Sequence, residues 1–241
     1  MNNIKGKVAL ITGGSKGIGK AIAVELLEMG LFVAITGRSK RSLNIIIDEL
    51  KIKYGDKIMG IEADVRHLQE QERAVHKIHE SWGPVDIVIA NAGIGHFASI
   101  EELTSEQWKE VIDINLTGVF NTVKSSLDDL IKQQGYLITI ASLAGTNFFA
   151  TGSAYNASKF GLVGFTQAVM LDVRKHGVKV STIMPGSVAT YFNDHIPSEK
   201  DSWKIQPEDI GKIVVDLLTM HPRTLPSKIE VRPTIPPSAR K

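Results

Sequence analysis

The sequence predicts an α/β fold: a doubly wound parallel sheet of about seven strands with helices on both faces. Three observations carry that expectation. Short apolar runs rich in β-branched residues recur along the chain, each bounded by Gly, Pro or Asp, as strands buried on both faces are. Longer amphipathic stretches lie between them, and strand–helix–strand alternation is satisfied by parallel strands joined by crossover helices. Finally, the residues best suited to chemistry fall just after the runs, and ligands of such sheets bind beyond the carboxyl ends of the strands.

In chain order the expected strands are VALIT from Val8, LFVAIT from Leu31, KIMGIEA from Lys57, VDIVIA from Val85, GYLITIA from Gly135, VKVSTIM from Val178 and KIEVR from Lys228. The helices between them carry their own punctuation. One opens at Thr104 with T-x-x-Q, a capping box. Another closes on RKHG, Arg174 to Gly177, with cations in its last turn and glycine beyond. A third starts at Pro207, followed by Glu208 and Asp209. No Ser/Gly linker divides the 241 residues, so residues 1–241 read as one domain, with a proline-rich, loose tail over 233–241.

Composition narrows the function classes. Apolar residues make up 43% and charged residues 22%, ordinary for a globular protein. A net charge of +2 gives no case for nucleic acid or a membrane surface as partner. The chain has no cysteine, which excludes disulfides and thiolate metal sites and suits a reducing compartment. The N-terminus does not look like a signal peptide and no run is long enough to span a bilayer, so a cytoplasmic protein is expected. His76 and His79 with Glu72 and Glu80 read as a solvated helix face, so no metal site is expected.

TGGSKGIG, Thr12 to Gly19, follows the first strand and opens the first helix. Glycines such as Gly13, Gly17 and Gly19 let the backbone turn tightly around Ser15 and approach a diphosphate, and a helix start offers free N–H groups and a positive dipole. The second strand ends Gly37-Arg38-Ser39, without the carboxylate that grips a ribose 2′-hydroxyl in NAD sites. Arg38 would grip a 2′-phosphate instead, helped by Lys16, so NADP(H) is expected to be preferred over NAD(H). Asp64, ahead of Val65 after the third strand, suits either an adenine amino group or the cap of the next helix. After the fourth strand, Asn91 would tie neighbouring loops while Ala92 and Gly93 leave room for a cofactor.

Ser142 follows the fifth strand, and Tyr155 and Lys159 share one helix face by i,i+4 spacing. Hydride transfer to a carbonyl leaves an alkoxide that needs a proton, which a phenol can give. A free tyrosine titrates near 10, and bringing it to about 7 takes about 4 kcal/mol. One cation at about 4 Å in an effective dielectric near 20 supplies about that much. Ser142 would hold the reacting oxygen.

Taken together, TGGSKGIG, Asn91 to Gly93, Asn115 within DINLTG, Ser142, the Y-x-x-x-K of Tyr155 and Lys159, and Pro185-Gly186 make the chain resemble the short-chain dehydrogenase/reductase family, in its common single-domain branch, over residues 5 to 220. The resemblance implies a Rossmann-type fold and an oxidoreductase that reduces a carbonyl or oxidises the corresponding alcohol. It implies that Tyr155 is the general acid/base, that Lys159 lowers its pKa and binds the nicotinamide ribose, and that Ser142 orients the substrate. It further implies that Asn115 sits at a helix irregularity and anchors a water in a proton relay, and that Ile18, Val188 and Thr190 touch the cofactor. Gly37, Arg38 and Lys16 match its NADP-preferring members.

Family members pair through the helices that carry Tyr155 and Asn115. Gly161 and Gly164 lie inside the first of these, so a homodimer or homotetramer is expected. Residues 190–207 correspond to the family's substrate lid, where Tyr191, Phe192, Ile196 and Trp203, with Phe148 and Phe149 opposite, would line an apolar site for a small molecule. The alternative activity is that of a 3-oxoacyl-carrier-protein reductase acting on thioesters, although the ending SKIEVRPTIPP departs from the Gly-rich close of those enzymes. A nucleotide sensor without turnover would be expected to have lost Tyr155 or Lys159.

Overall fold

The computed structural model describes residues 4–235. Its strands are β1 (Val8–Thr12), β2 (Phe32–Gly37), β3 (Ile58–Glu62), β4 (Ile87–Ala90), β5 (Tyr136–Ile140), β6 (Lys179–Pro185) and β7 (Lys228–Val231). All pair in parallel, in the order β3-β2-β1-β4-β5-β6-β7. Each expected strand is present: β1 keeps its expected bounds, β3, β4, β5 and β7 lose one or two residues at their ends, and β2 and β6 each start and finish one residue later. The helices are α1 (Gly17–Glu28), α2 (Lys40–Tyr54), α3 (Leu68–Trp82), α4 (Ser105–Ile112), α5 (Gly118–Gln133), α6 (Ser153–Val173) and α7 (Pro207–Thr219).

Strand periodicity explains the two layers. On β1, Ala9 and Ile11 face one side, where Ile22 and Leu26 of α1, Leu43 of α2 and Ile210 and Val214 of α7 cover them. Val8 and Leu10 face the other, against Ile78 of α3, Val123 of α5 and Leu162 of α6. A strand buried on both faces needs apolar residues at every position, which is why the runs are continuous rather than alternating. Each fully buried Leu or Ile contributes about 1.5–3 kcal/mol.

The helix ends follow their local chemistry. Thr104 and Gln107 form the capping box of α4, and Pro207 stands in the first turn of α7, whose Asp209 accepts from the Gln206 N–H. The RKHG segment is one turn of 3-10 helix beyond α6, closed by Gly177 at φ +78. Between α4 and α5 the chain widens into a π-turn, Asp113–Thr117, the helix irregularity expected at Asn115. Of the tail, only residues up to 235 are described. Within that part, Pro233 lines the cavity described below, whereas residues 236–241 of the expected loose tail lie outside the described residues.

The order of connections reverses between β1 and β4, so the loops after these two strands diverge and leave a crevice at their carboxyl ends.

Candidate active site

That crevice is a cavity of about 1450 Å³ running from the glycine turn to the segment after β6. At one end, Gly13 (φ +68) and Gly17 (φ +57) take left-handed conformations that favour glycine. Packing demands glycine as well. A Cβ on Gly13 would stand 2.9 Å from Cα of Ala92, and one on Gly19 would stand 2.4 Å from the Gly13 carbonyl oxygen and 2.6 Å from Nδ2 of Asn91. Gly19 therefore serves the shape of the turn and does not line the cavity. Asn91 ties the two strand ends together, donating from Nδ2 to the carbonyls of Thr12 (3.0 Å) and Gly13 (3.1 Å).

Helix α1 opens after an extended Lys16 that offers no side-chain cap. Its first-turn N–H groups thus lack a side-chain acceptor, an arrangement that fits a dinucleotide's diphosphate. Ser15, Lys16, Gly17 and Ile18 line this end. Arg38 and Ser39 lie beside it. The Arg38 guanidinium is half exposed, 3.8 Å from Glu110, and Ser39 caps α2 by accepting from the Ser42 N–H. Asp64 and Val65 line the cavity too. Asp64 does not cap α3, whose N-cap is His67. It instead grips Arg66 through both carboxylate oxygens. Burial alone would raise the Asp64 carboxyl, but the Arg66 side-chain and backbone hydrogen bonds hold it below its ordinary range.

At the other end, Ser142, Tyr155 and Lys159 converge with Ala92, Gly93, Pro185, Gly186, Val188 and Thr190 along the cavity wall. The Ser142 hydroxyl accepts from the Ala144 N–H at 3.1 Å, which fixes its direction. Buried Lys159 donates to the Ile140 carbonyl at 3.1 Å, with its ammonium 5.6 Å from the centre of the Tyr155 ring. Burial brings Lys159 from its usual 10.5 down to about 8. The Tyr155 phenol departs from the sequence expectation. Among the protein's own groups burial pushes it up, and hydrogen bonding with Ser142 offsets only part of that. Spacing reports the cation's attraction and omits the loss of hydration that both groups suffer on burial.

Asn115 does not line the cavity; it is fully buried behind it. Its Oδ1 accepts from the Ile94 N–H (2.9 Å), and its Nδ2 donates to the Ile94 carbonyl (2.9 Å) and to Ser158 Oγ (3.0 Å). It thereby clamps the loop after β4 onto α6.

Over Tyr155 lies an aromatic group that sequence reasoning only half found. Phe149, Tyr191, Phe192 and Trp203 line the cavity as expected. Phe148 and Ile196 do not: they are 86% and 76% exposed, turned away from it. Phe97 was missed, although it packs 5.4 Å from Tyr155 and 5.9 Å from Phe149, ring centre to ring centre. It stands in IGHFAS just after a strand end, and that position was the signal available. The 190–207 segment is latched by buried Asp201, which accepts from His195, Lys204 and the Ser198 N–H. Those hydrogen bonds, that from Lys204 first, hold its carboxyl well below the usual carboxylate range.

A glycine turn at a topological switch point, opposite a hydroxyl, a phenol and an ammonium, is the arrangement of a nucleotide-binding oxidoreductase. A sequence model of short chain dehydrogenases matches residues 7–201, and the chain belongs to that family. It is 32% identical to an uncharacterized oxidoreductase of Staphylococcus aureus (strain MW2), over 97% of this chain and 100% of that protein. It is 34% identical to the 3-oxoacyl-(acyl-carrier-protein) reductase of Vibrio cholerae, over 88% of this chain and 85% of that one. An alcohol dehydrogenase from the archaeon Thermococcus sibiricus, solved as a complex with 5-hydroxy-NADP, superposes with a TM-score of 0.89 at 32% identity, covering 95% of this chain and 97% of that one.

Proposed function

We propose that the protein is an NADP(H)-dependent carbonyl reductase that also runs in reverse as a secondary-alcohol dehydrogenase, built as a single cofactor-binding domain. The observation that carries this reading is the convergence of Ser142, Tyr155 and Lys159 on one cavity wall. A bound nicotinamide dinucleotide would supply the hydride. Tyr155 gives its phenolic proton to the oxygen that becomes negative, while Ser142 holds that oxygen by hydrogen bonding. A phenol kept protonated by burial suits this reductive direction at neutral pH. Lys159 stands behind the phenol, stabilises the phenolate and binds the nicotinamide ribose. Both amide protons of Asn115 are donated within the protein and its Oδ1 accepts from the Ile94 N–H, so the part proposed for its side chain is to position the loop after β4 beside Lys159.

Arg38 and Lys16 would carry the preference for the 2′-phosphate, with Ser39, Asp64, Val65 and the 185–190 segment around the rest of the cofactor. The relative from Vibrio cholerae favours a second reading, reduction of a 3-oxoacyl thioester. Among the described residues no helix is long and apolar enough to cross a membrane, and a cytoplasmic location is proposed. Pairing of two copies is proposed through α5 and α6. There Leu116, Phe120, Gly161 and Phe165 form a shallow apolar patch, and a Cβ on Gly164 would meet nothing within 4 Å.

The test is NADPH oxidation, with NADH in parallel, across ketones, diketones and acyl thioesters, with Tyr155→Phe as control. The variant is expected to lose about 10²–10⁴-fold in turnover while still binding NADPH. Full activity in Tyr155→Phe would sink the mechanism.

A further inference from the structure

Ser142 and Tyr155 have to reach one substrate oxygen, yet they stand on different elements. Ser142 begins the loop after β5, and Tyr155 is in the first turn of α6. Their separation is therefore set by how that loop seats on that helix. The loop leaves Ser142 as a 3-10 turn, Leu143–Gly145, and runs on through Asn147 to Phe149. Its backbone bonds are local: the N–H groups of Thr146 and Asn147 both return to the Leu143 carbonyl, at 3.0 and 2.8 Å.

Asn156 supplies the fastening. It follows Tyr155 on α6, and about 100° of helical rotation aims it at the loop while Tyr155 faces the cavity. It is buried and does not itself line the cavity. Its Nδ2 donates to the carbonyls of Ala144 and Asn147, at 2.7 Å each, and its Oδ1 accepts from the Phe149 N–H at 3.4 Å. Among the described residues, no other α6 side chain hydrogen-bonds residues 143–149. The turn is also pressed onto the helix, since a Cβ on Gly145 would stand 2.8 Å from the Lys159 carbonyl oxygen.

The grip leads to the Ser142 hydroxyl. Ala144, held through its carbonyl by Asn156, donates its own N–H to Ser142 Oγ at 3.1 Å. That bond occupies one lone pair and leaves the hydroxyl proton for another acceptor. Within the protein the Pro185 carbonyl competes for it only at 3.5 Å, a poor hydrogen-bond distance.

We propose that Asn156 is a positioning residue that registers the Ser142 loop against α6 and thereby sets the Ser142 hydroxyl against the Tyr155 phenol at the reacting oxygen. The inference rests on the proposed role of Ser142, and the experiment separates the two.

kcat and KM for NADPH-dependent reduction of 2,3-butanedione are measured in wild type, Asn156→Leu, Ser142→Ala and the double variant. Leucine is close to asparagine in size and makes no hydrogen bond. Asn156→Leu is expected to lower kcat about ten- to a hundredfold, as when a catalytic group is misplaced by about 1 Å. The NADPH dissociation constant should change less than about twofold. In the Ser142→Ala background the same substitution should cost less than about threefold, because the hydroxyl it positions is gone. An equal fall in both backgrounds, or no fall in kcat, overturns the proposal while leaving the role of Ser142 standing. Full activity in Ser142→Ala overturns that role and the proposal with it. Asn156→Ser, which keeps one donor, takes the place of Asn156→Leu if the latter does not fold, with a fall of about three- to tenfold expected. Amide hydrogen exchange at Ala144 needs no substrate and decides the matter whether or not the diketone is reduced. Loss of the Asn156 bonds should speed it about tenfold or more, and exchange at the wild-type rate overturns the proposal.

Discussion

The two ends of the cavity are built from different materials. The end at β1 and β4 is made of backbone. Gly13 and Gly17 supply left-handed turns, Gly19 leaves no space for a Cβ, and Asn91 fastens one strand end to the other. The end at Tyr155 is made of side chains on loops. Phe97, Phe149 and Phe192 are each more than a third exposed, and Thr151, Asn193 and Asp194 hold left-handed conformations without being glycine. A cradle for a constant ligand can be rigid and close-packed. A wall for a particular substrate must leave apolar surface uncovered until that substrate arrives.

Lys159 sits at the seam and gives the largest test. Its fall from 10.5 to about 8 corresponds to about 3 kcal/mol spent keeping a buried ammonium charged. The folded pKa lies below the unfolded one, so the unfolded chain binds more protons between about pH 8 and 10.5, and stability should rise with pH across that window. Lys159→Met should be about 2 kcal/mol more stable than wild type at pH 7, after loss of the hydrogen bond to Ile140. The gap should close above about pH 10.5 in denaturant melts, while turnover is lost. A variant less stable than wild type at pH 7 would mean that the ammonium is well solvated.

The backbone end is probed next. Arg38→Asp should weaken NADPH binding on the order of ten- to a hundredfold, the worth of a charge-assisted hydrogen bond, and should turn the preference toward NADH. NADPH preference surviving that change, in titrations of both cofactors, would remove Arg38 from the site. Gly19→Ala puts a methyl group 2.4 Å from a carbonyl oxygen and should cost about 1–3 kcal/mol. Thermal melting several degrees lower, with weaker nucleotide binding, is the expected reading. An unchanged melting temperature would show that the turn can yield.

The smallest effect is expected at the side-chain end, where exposure separates residues that looked alike in sequence. Phe148→Ala should change stability by less than about 0.5 kcal/mol and leave kcat/KM nearly unaltered, because the side chain is 86% exposed and faces away from the cavity. A large loss would place Phe148 on the substrate and redraw that wall.

The sequence by itself determined the seven parallel strands, the helix starts at Thr104 and Pro207, the glycine turn, and the grouping of Ser142, Tyr155 and Lys159. Each follows from local rules: continuous apolar runs, capping chemistry, glycine where no Cβ fits, and strand ends that all open on one edge. Tertiary structure alone decided the rest. Gly19, which sequence placed at the ligand, and Asn115, which the family resemblance placed in a proton relay, both work from behind the cavity, because whether a polar or small residue faces a cavity or its own fold depends on what packs against it. Asp64 became the partner of Arg66 rather than a helix cap. Phe97 joined Phe192 across a gap of nearly a hundred residues, while Phe148 turned to solvent beside Phe149. Burial also set the protonation of Tyr155 and Lys159, since desolvation depends on every neighbour and spacing reports only one.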